Sequence, residues 1–374
     1  MRPQPLPVWA AAVGSVGLVL LAGWHAESWR NASLTLVGIA LGFVLFQSTF
    51  GFAGSYRAVL ERRDFTGFRA QAEALALTSL IFFPLLARGS AFGMNLDGFS
   101  APIGVAFIVG AMMFGLGMQL GGGCASGTLF ALGGGNMRLL VTLVFFVIGS
   151  AMGAAYLDFW RELPKLPAIS SQDIFGWQFA LALHLAIFAI VIRWAPHDAG
   201  EPTPNTLREW FTMPWPLLWG AIGLALLNGV TLLLAGRPWG ETSGFTLWGS
   251  KLAMQIGFNP ASWPYWRDNP APLSESLFSD ITSVMDFGII LGAILAAGLS
   301  NRFSLRPVGG RGVWLGASAG GLLMGYGARL SDGCNIGAYF SALASGSLSA
   351  WIWVAAAFAG SAIGLKLRPV LQLP

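Results

Sequence analysis

Apolar residues along this chain run in long blocks broken by brief polar stretches, without the strict alternation of a half-buried strand. A block of about 20 apolar residues is what a helix needs to cross the hydrocarbon core of a bilayer. Ten such blocks predict spanning helices, near 7–24, 33–53, 68–87, 101–120, 138–158, 176–195, 215–235, 280–299, 312–331 and 348–367. Three further stretches, near 125–134, 243–257 and 335–345, are too short to cross and are expected to be re-entrant or half-membrane helices. The fold class predicted is an all-α polytopic membrane protein.

Composition sharpens this picture. Hydrophobic residues make up 55% of the chain and charged residues 10%, against about 25% charge in a soluble domain. The 50 glycines and 16 tryptophans suit membrane helices and their interfaces. A net charge of +4 is then a topology signal, and gives no reason to invoke nucleic acid. The first apolar run lacks a small-residue cleavage site and further spans follow, so a cleaved leader is not expected. With the N-terminus placed in the cytoplasm, the densest basic clusters fall inside: Arg57, Arg62, Arg63 and Arg69 after the second span, and Arg302, Arg306 and Arg311 after the eighth. The segment 236–279, with Trp239, Trp263 and Trp266, falls outside. The charged run from Arg57 to Asp64 is expected to be a solvated cytoplasmic helix that anchors this topology.

The chain repeats itself. "GAMMFGLGMQLGGGC", ending at Cys124, aligns with "GGLLMGYGARLSDGC", ending at Cys334, at an offset of 210 residues. Shifted by one residue, "GSAMG" at Gly149 aligns with "GSAIG" at Gly360. A weaker match sets "QSTFGFAGS" from Gln47 beside "TSGFTLWGS" from Thr242, so that Ser48 and Ser243 coincide. Five spans resemble the other five. Five is odd, so the second copy is expected to be inverted in the membrane. Residues 1–195 are read as the first repeat, 196–214 as a cytoplasmic linker and 215–374 as the rest of a second repeat that begins at the span near 176. Inverted repeats place a substrate at the bilayer midplane, where interrupted helices from the two halves meet.

The two cysteines of the chain, Cys124 and Cys334, sit at equivalent places in this repeat. Each follows a glycine turn, Gly122 and Gly123 in one half and Gly333 in the other, and each opens a short helix. Helix starts carry unpaired N–H groups and partial positive charge, a ready anion site. A thiol adds a soft, weak S–H donor suited to a sulfur-bearing anion. Candidate binding residues are therefore Cys124, Cys334, the turn residues Gly122, Gly123 and Gly333, and Ala125, Ser126, Asn335 and Ile336 beyond them. From the weaker box come Ser48, Thr49, Gly51, Thr242, Ser243 and Thr246, whose hydroxyls either donate to an oxyanion or bond backbone. The bland alternative treats the cysteines as small buried hydrophobes. Capping is the plain expectation for Asn136 and Asn335, packing for His184, and either pairing or tuning of the site for Arg329 and Asp332. His25, His184 and His197 show no ligand spacing with the cysteines, so no metal is expected, and no cofactor fingerprint, P-loop or evident base–thiol pair marks an enzyme.

"GGGCASGTLFALGGGN", "LSDGCNIGAYFSALASGSLSAW", "FQSTFGFAGSYRAVLERRDFTGFRA" and "PWGETSGFTLWGSK" together resemble the YeeE/YedE sulfur-transport family, over roughly 36–365. The resemblance implies an inverted-repeat protein of the bacterial inner membrane, with both termini cytoplasmic, that takes up thiosulfate. It further implies that Cys124 and Cys334 contact the sulfur end of the anion in a relay. A cytosolic sulfur-carrier or rhodanese-type partner is implied in the same way. Family members carry a third cysteine in the first box, where this chain has Gly51. Beside a thiosulfate permease stand a transporter of another sulfur or selenium species, a membrane sulfurtransferase forming a cysteine persulfide, and an anion channel with structural cysteines.

Overall fold

A computed structural model describes residues 3–195 and 203–373; His197 and the first part of the expected linker, 196–202, lie outside the described residues. The described residues are mostly helical, and the only strands among them are two pairs of two residues each in the connections: β1 (Ser90–Ala91) with β2 (Met94–Asn95), and β3 (Ile103–Gly104) with β4 (Lys165–Leu166).

The long helices are α1 (Pro5–Ala26), α2 (Trp29–Ser48), α4 (Thr66–Arg88), α5 (Val105–Gly121), α7 (Met137–Ala155), α10 (Trp177–Trp194), α12 (Leu217–Ala235), α15 (Ile281–Leu299), α16 (Arg311–Leu330) and α18 (Ser349–Leu367). Among the described residues nine segments are long and apolar enough to cross a bilayer. The remaining block, the ninth in order and now α16, is long enough at 20 residues but richer in glycine and arginine. Four shorter elements lie between: α3 (Phe52–Arg62), α6 (Ala125–Gly133), α13 (Thr242–Gln255) and a π-helix (Asn335–Ser341) that continues into α17 (Ala342–Ala344). Small helices α8 (Leu157–Arg161), α9 (Ser171–Phe175), α11 (Leu207–Thr212) and α14 (Ala271–Ser274) fill the connections.

Three of the four short elements match the short stretches read from the sequence. The fourth, α3, does not. The block at 33–53 was expected to run as one span, but α2 stops at Ser48, Thr49 turns left-handed (φ 48°), and α3 starts at Phe52. The charged residues after it are the exposed end of that helix, with Arg57 and Glu61 paired at 2.8 Å. Its first turns are buried, Phe52 and Tyr56 both at 0% exposure. Beyond it, Asp64 accepts the Thr66 N–H at 3.0 Å, and this bonding to Thr66 holds the Asp64 carboxyl below the usual carboxylate range.

Glycine sets how closely the helices approach. Lipid gives helices little hydrophobic reason to associate, so close backbone packing and polar contacts must hold them. On α2 and α15 the fit is reciprocal: a Cβ at Gly42 would overlap the Ile289 carbonyl, and one at Gly292 the Ile39 carbonyl. The helices that correspond in the sequence repeat also keep corresponding company. Helix α5 packs on α18 while its counterpart α16 packs on α7; α15 packs on α1 and α2 while α4 packs on α10 and α12; α5 and α16 pack on each other, as do α2 and α12. The centre of the molecule, where the short elements begin, is walled by these pairs.

Candidate functional site

Helix α5 ends at depth, where its last carbonyls need partners. Arg368 donates to the Gln119 carbonyl at 2.7 Å, Arg138 to that of Leu120 at 2.7 Å, and Thr142 to that of Gly121 at 3.0 Å. Gly122, left-handed at φ 91°, turns the chain, and Cys124 takes the N-cap position of α6. That position usually holds a Ser, Thr, Asp or Asn whose oxygen receives a first-turn N–H. Here sulfur does it: Cys124 Sγ accepts the Gly127 N–H at 3.4 Å and lies 3.5 Å from Ser126 Oγ.

The second half repeats the construction. Asp332 (φ 53°) turns the chain after α16, and Cys334 caps the π-helix, its sulfur accepting the Ile336 N–H at 3.4 Å. It also donates its S–H to Glu241 Oε2 at 3.5 Å. Both thiols are free and 1% exposed.

Glu241 lies outside the binding candidates named from the sequence, yet it meets Cys334 here. It occupies the N-cap position of α13, as Gly51 does for α3, Cys124 for α6 and Cys334 for the π-helix. The backbone N–H of Ser126, in the first turn of α6, is directed at the Glu241 carboxylate, and that of Phe52, in the first turn of α3, at the Cys124 sulfur. The four starts thus form a chain of contacts running from Phe52 to Cys124, across to Glu241, and on to Cys334. The weaker box had been aligned on its serines, but Ser48 is the last residue of α2 and Ser243 lies in the first turn of α13. Aligned on helix starts, the offset becomes 190 residues, and Gly51 pairs with Glu241. A helix start at the second turn was the signal that would have exposed Glu241. The structure also supplies a thiol–carboxylate contact where the sequence showed no base beside a thiol.

The other candidates separate. Gly123, Ala125, Ser126, Gly333, Asn335 and Ile336 are buried around the thiols, and Gly122 is exposed. Asn335 does not cap: both atoms of its amide lack a hydrogen-bond partner among the described residues, and it sits beside the equally unpartnered Tyr56 hydroxyl. Asn136 likewise begins α7 without a side-chain cap. Thr242 is buried, and its hydroxyl accepts from Arg329 at 2.7 Å. Ser243 shares a hydrogen bond with Thr282 at 3.0 Å, Thr246 donates to the Thr242 carbonyl at 3.0 Å, and Ser48 donates to the Val44 carbonyl at 2.7 Å. Thr49 is exposed at the end of α2. Arg329 makes no ion pair with Asp332 among the described residues; its guanidinium lies over the Tyr265 ring, 5.1 Å from the centroid. His184 is packed among Phe83, Phe188 and Trp351.

A cavity of about 510 Å³ leads to this centre, lined by Phe99, Arg237, Glu241, Thr242, Arg329 and Gly333 among others. A second, of about 230 Å³, shares Arg329 and Asp332 with it and adds Arg161 and Lys165. The first carries Arg237 and Arg329 beside the acids Asp97, Glu241 and Asp332, and the cations of the second are Arg161, Lys165 and Arg329. Past Glu241 the thiols are closed off from the first.

Spanning helices packed around buried short-helix starts mark a multi-pass membrane protein. Residues 47–363 match the profile of the Sulphur transport family, and the chain belongs to it. It is 31% identical over 340 residues to the Thiosulfate transporter TsuA of Spirochaeta thermophila, covering 85% of this chain and 92% of that protein. It is 24% identical over 317 residues to the Thiosulfate transporter TsuA of Escherichia coli, covering 81% and 84%. The Probable transporter YedE of Escherichia coli is 30% identical over 169 residues, 45% of this chain and 42% of that protein.

Proposed function

We propose that this protein is a permease that takes thiosulfate, or a closely related small sulfur-bearing anion, across the bacterial inner membrane into the cytoplasm. The observation that carries the reading is the pair of buried thiols capping two short helices beyond a cavity whose wall carries Arg237 and Arg329. Helix starts suit the oxyanion end of the ion and S–H donors its sulfur end. The anion enters from the face that carries Arg237 and Tyr265, passes Cys334 and Cys124, and leaves past Gly51. In this reading the two halves are inverted repeats, which the matched helix packing supports. The termini are cytoplasmic, and a sulfur-carrier or rhodanese-type protein receives the anion.

The test is uptake of labelled thiosulfate by cells or proteoliposomes. The double substitution Cys124→Ala, Cys334→Ala is expected to abolish it while leaving the protein folded in the membrane. Uptake at the wild-type rate by the double variant would sink the thiol relay. The contact between Cys334 and Glu241 favours one second reading, a sulfurtransferase in which the carboxylate deprotonates the thiol. That reading requires a persulfide, visible as one added sulfur atom in the intact mass during turnover.

A further inference from the structure

We propose that Glu241 is the proton site through which entry of the anion is coupled to proton uptake. The proposal rests on the permease reading above and adds its energy source.

Glu241 is 1% exposed, lines the floor of the cavity, and touches both thiol turns. Its two oxygens are differently placed. Oε2 accepts the Cys334 S–H, whereas Oε1 has no hydrogen-bond partner among the described residues. A buried polar atom without a partner calls for an explanation, and an ionisable group at membrane depth is a functional site by default. A proton on Oε1 supplies one. It leaves the thiol contact on Oε2 intact and turns the free oxygen into an O–H donor.

The charges around Glu241 do not offer another answer. On α6 and the π-helix it faces the thiols Cys124 and Cys334. On α15 it faces Asp286, itself fully buried with neither oxygen partnered, and Asp280 lies beyond on the same helix. A Cβ at Gly244 of α13 would stand 2.9 Å from Asp286 Oδ2, so that carboxyl is pressed against Glu241's own helix. The nearest cations are engaged elsewhere, Arg329 on Thr242 and Arg237 on Thr282 at 3.1 Å. The remaining charges of the cavity wall, Asp97 and Asp332, are acids. Among the described residues no ion pair neutralises Glu241.

A dianion moving between the thiols must pass this carboxylate in a place shielded from water, where like charges repel strongly. An ionised Glu241 closes the path, and a protonated one opens it and donates to the anion. The cycle follows: a proton from the cavity side settles on Oε1, the dianion passes to the thiols, and when the anion has left for the cytoplasm the proton follows to the same side. One proton and one dianion move inward together.

The experiment uses the full chain in proteoliposomes holding a pH-sensitive dye. Wild-type protein is expected to acidify the lumen as labelled thiosulfate enters, and to take thiosulfate up faster when the outside is made acid. E241Q carries no titratable proton, so any thiosulfate it admits is expected to enter without acidifying the lumen. E241D keeps an acid and is expected to retain coupling. Thiosulfate entry by wild-type protein without proton movement overturns the proposal and leaves the permease reading standing, whatever the variants do. Proton-coupled entry through E241Q overturns it as well. A wild-type protein that moves no thiosulfate at all overturns both.

Discussion

The two thiols look alike in sequence, yet the structure makes their loss unequal. In Cys124→Ala the Gly127 N–H loses its acceptor and the Phe52 N–H the sulfur it is directed at, with the Gly127 loss costing about 1 kcal/mol as for other N-cap removals. In Cys334→Ala the Ile336 and Gly337 N–H groups lose the sulfur in the same way, and Glu241 Oε2 also loses its donor. Oε1 is already unpartnered, so the buried carboxyl would then keep only the Ser126 N–H directed at it, at about 1–3 kcal/mol more. The void left by a sulfur atom is common to both and cancels. Cys334→Ala is therefore expected to be less stable than Cys124→Ala by about 1–3 kcal/mol, a midpoint about 2–6 °C lower. Cys334→Ser, which keeps both a donor and an acceptor, is expected to recover most of the difference. The assay is thermal unfolding of purified protein in detergent without thiosulfate, since a ligand bound only to the folded state would shift the midpoint. Equal midpoints for the two alanine variants, or a lower one for Cys124→Ala, would refute the reasoning.

Gly51 caps α3 in an extended conformation (φ −140°), and the nearest atom to a Cβ there is the Thr49 carbonyl oxygen at 3.7 Å, so Gly51→Cys is expected to fold as the wild type does and to raise thiosulfate uptake by adding a third thiol; an unchanged rate would show that the position takes no part in the path. Gly292→Val drives a side chain into the Ile39 backbone and is expected to cost at least about 1–3 kcal/mol, whereas Gly17→Ala, with nothing within 4 Å, is expected to be neutral or mildly stabilising. The same unfolding assay compares them.

Much of the architecture was legible because lipid imposes length. Apolar blocks of span length and three shorter ones marked nearly every element before any contact was known. What failed was the block at 33–53. The other breaks are written in glycine, but α2 stops at Ser48 and Thr49 turns left-handed within a brief polar step, Gln47 to Thr49, between Phe46 and Phe50. Over a window of span length, so short a step is outweighed by the apolar residues on both sides. Glu241 was left out of the binding candidates for a related reason: matching like residues favoured Ser48 with Ser243, whereas the equivalence lies in where helices begin, and there the paired residues are Gly51 and Glu241. The thiol turns were found because chemistry and backbone repeat together. Asn335 was misjudged because local spacing suggests a cap, while its position between two buried halves turns the amide toward Tyr56.

The π-helix records how the two halves diverged. Ahead of it the left-handed residues Gly122 and Asp332 stand 210 apart; after it Gly135 and Gly346 stand 211 apart. The second half therefore holds one residue more, and the surplus falls within the stretch that begins at Cys334. All seven residues from Asn335 to Ser341 are buried, which leaves a looped-out residue no solvent to reach. A widened turn stores the extra residue inside the helix instead. The surplus amino acid survives as girth, and it swings Asn335 and Tyr339 to bearings that no residue of the regularly wound α6 can adopt. Two thiol turns of common design thus present different surroundings to whatever lies between them, a built-in polarity along a path whose ends would otherwise be interchangeable.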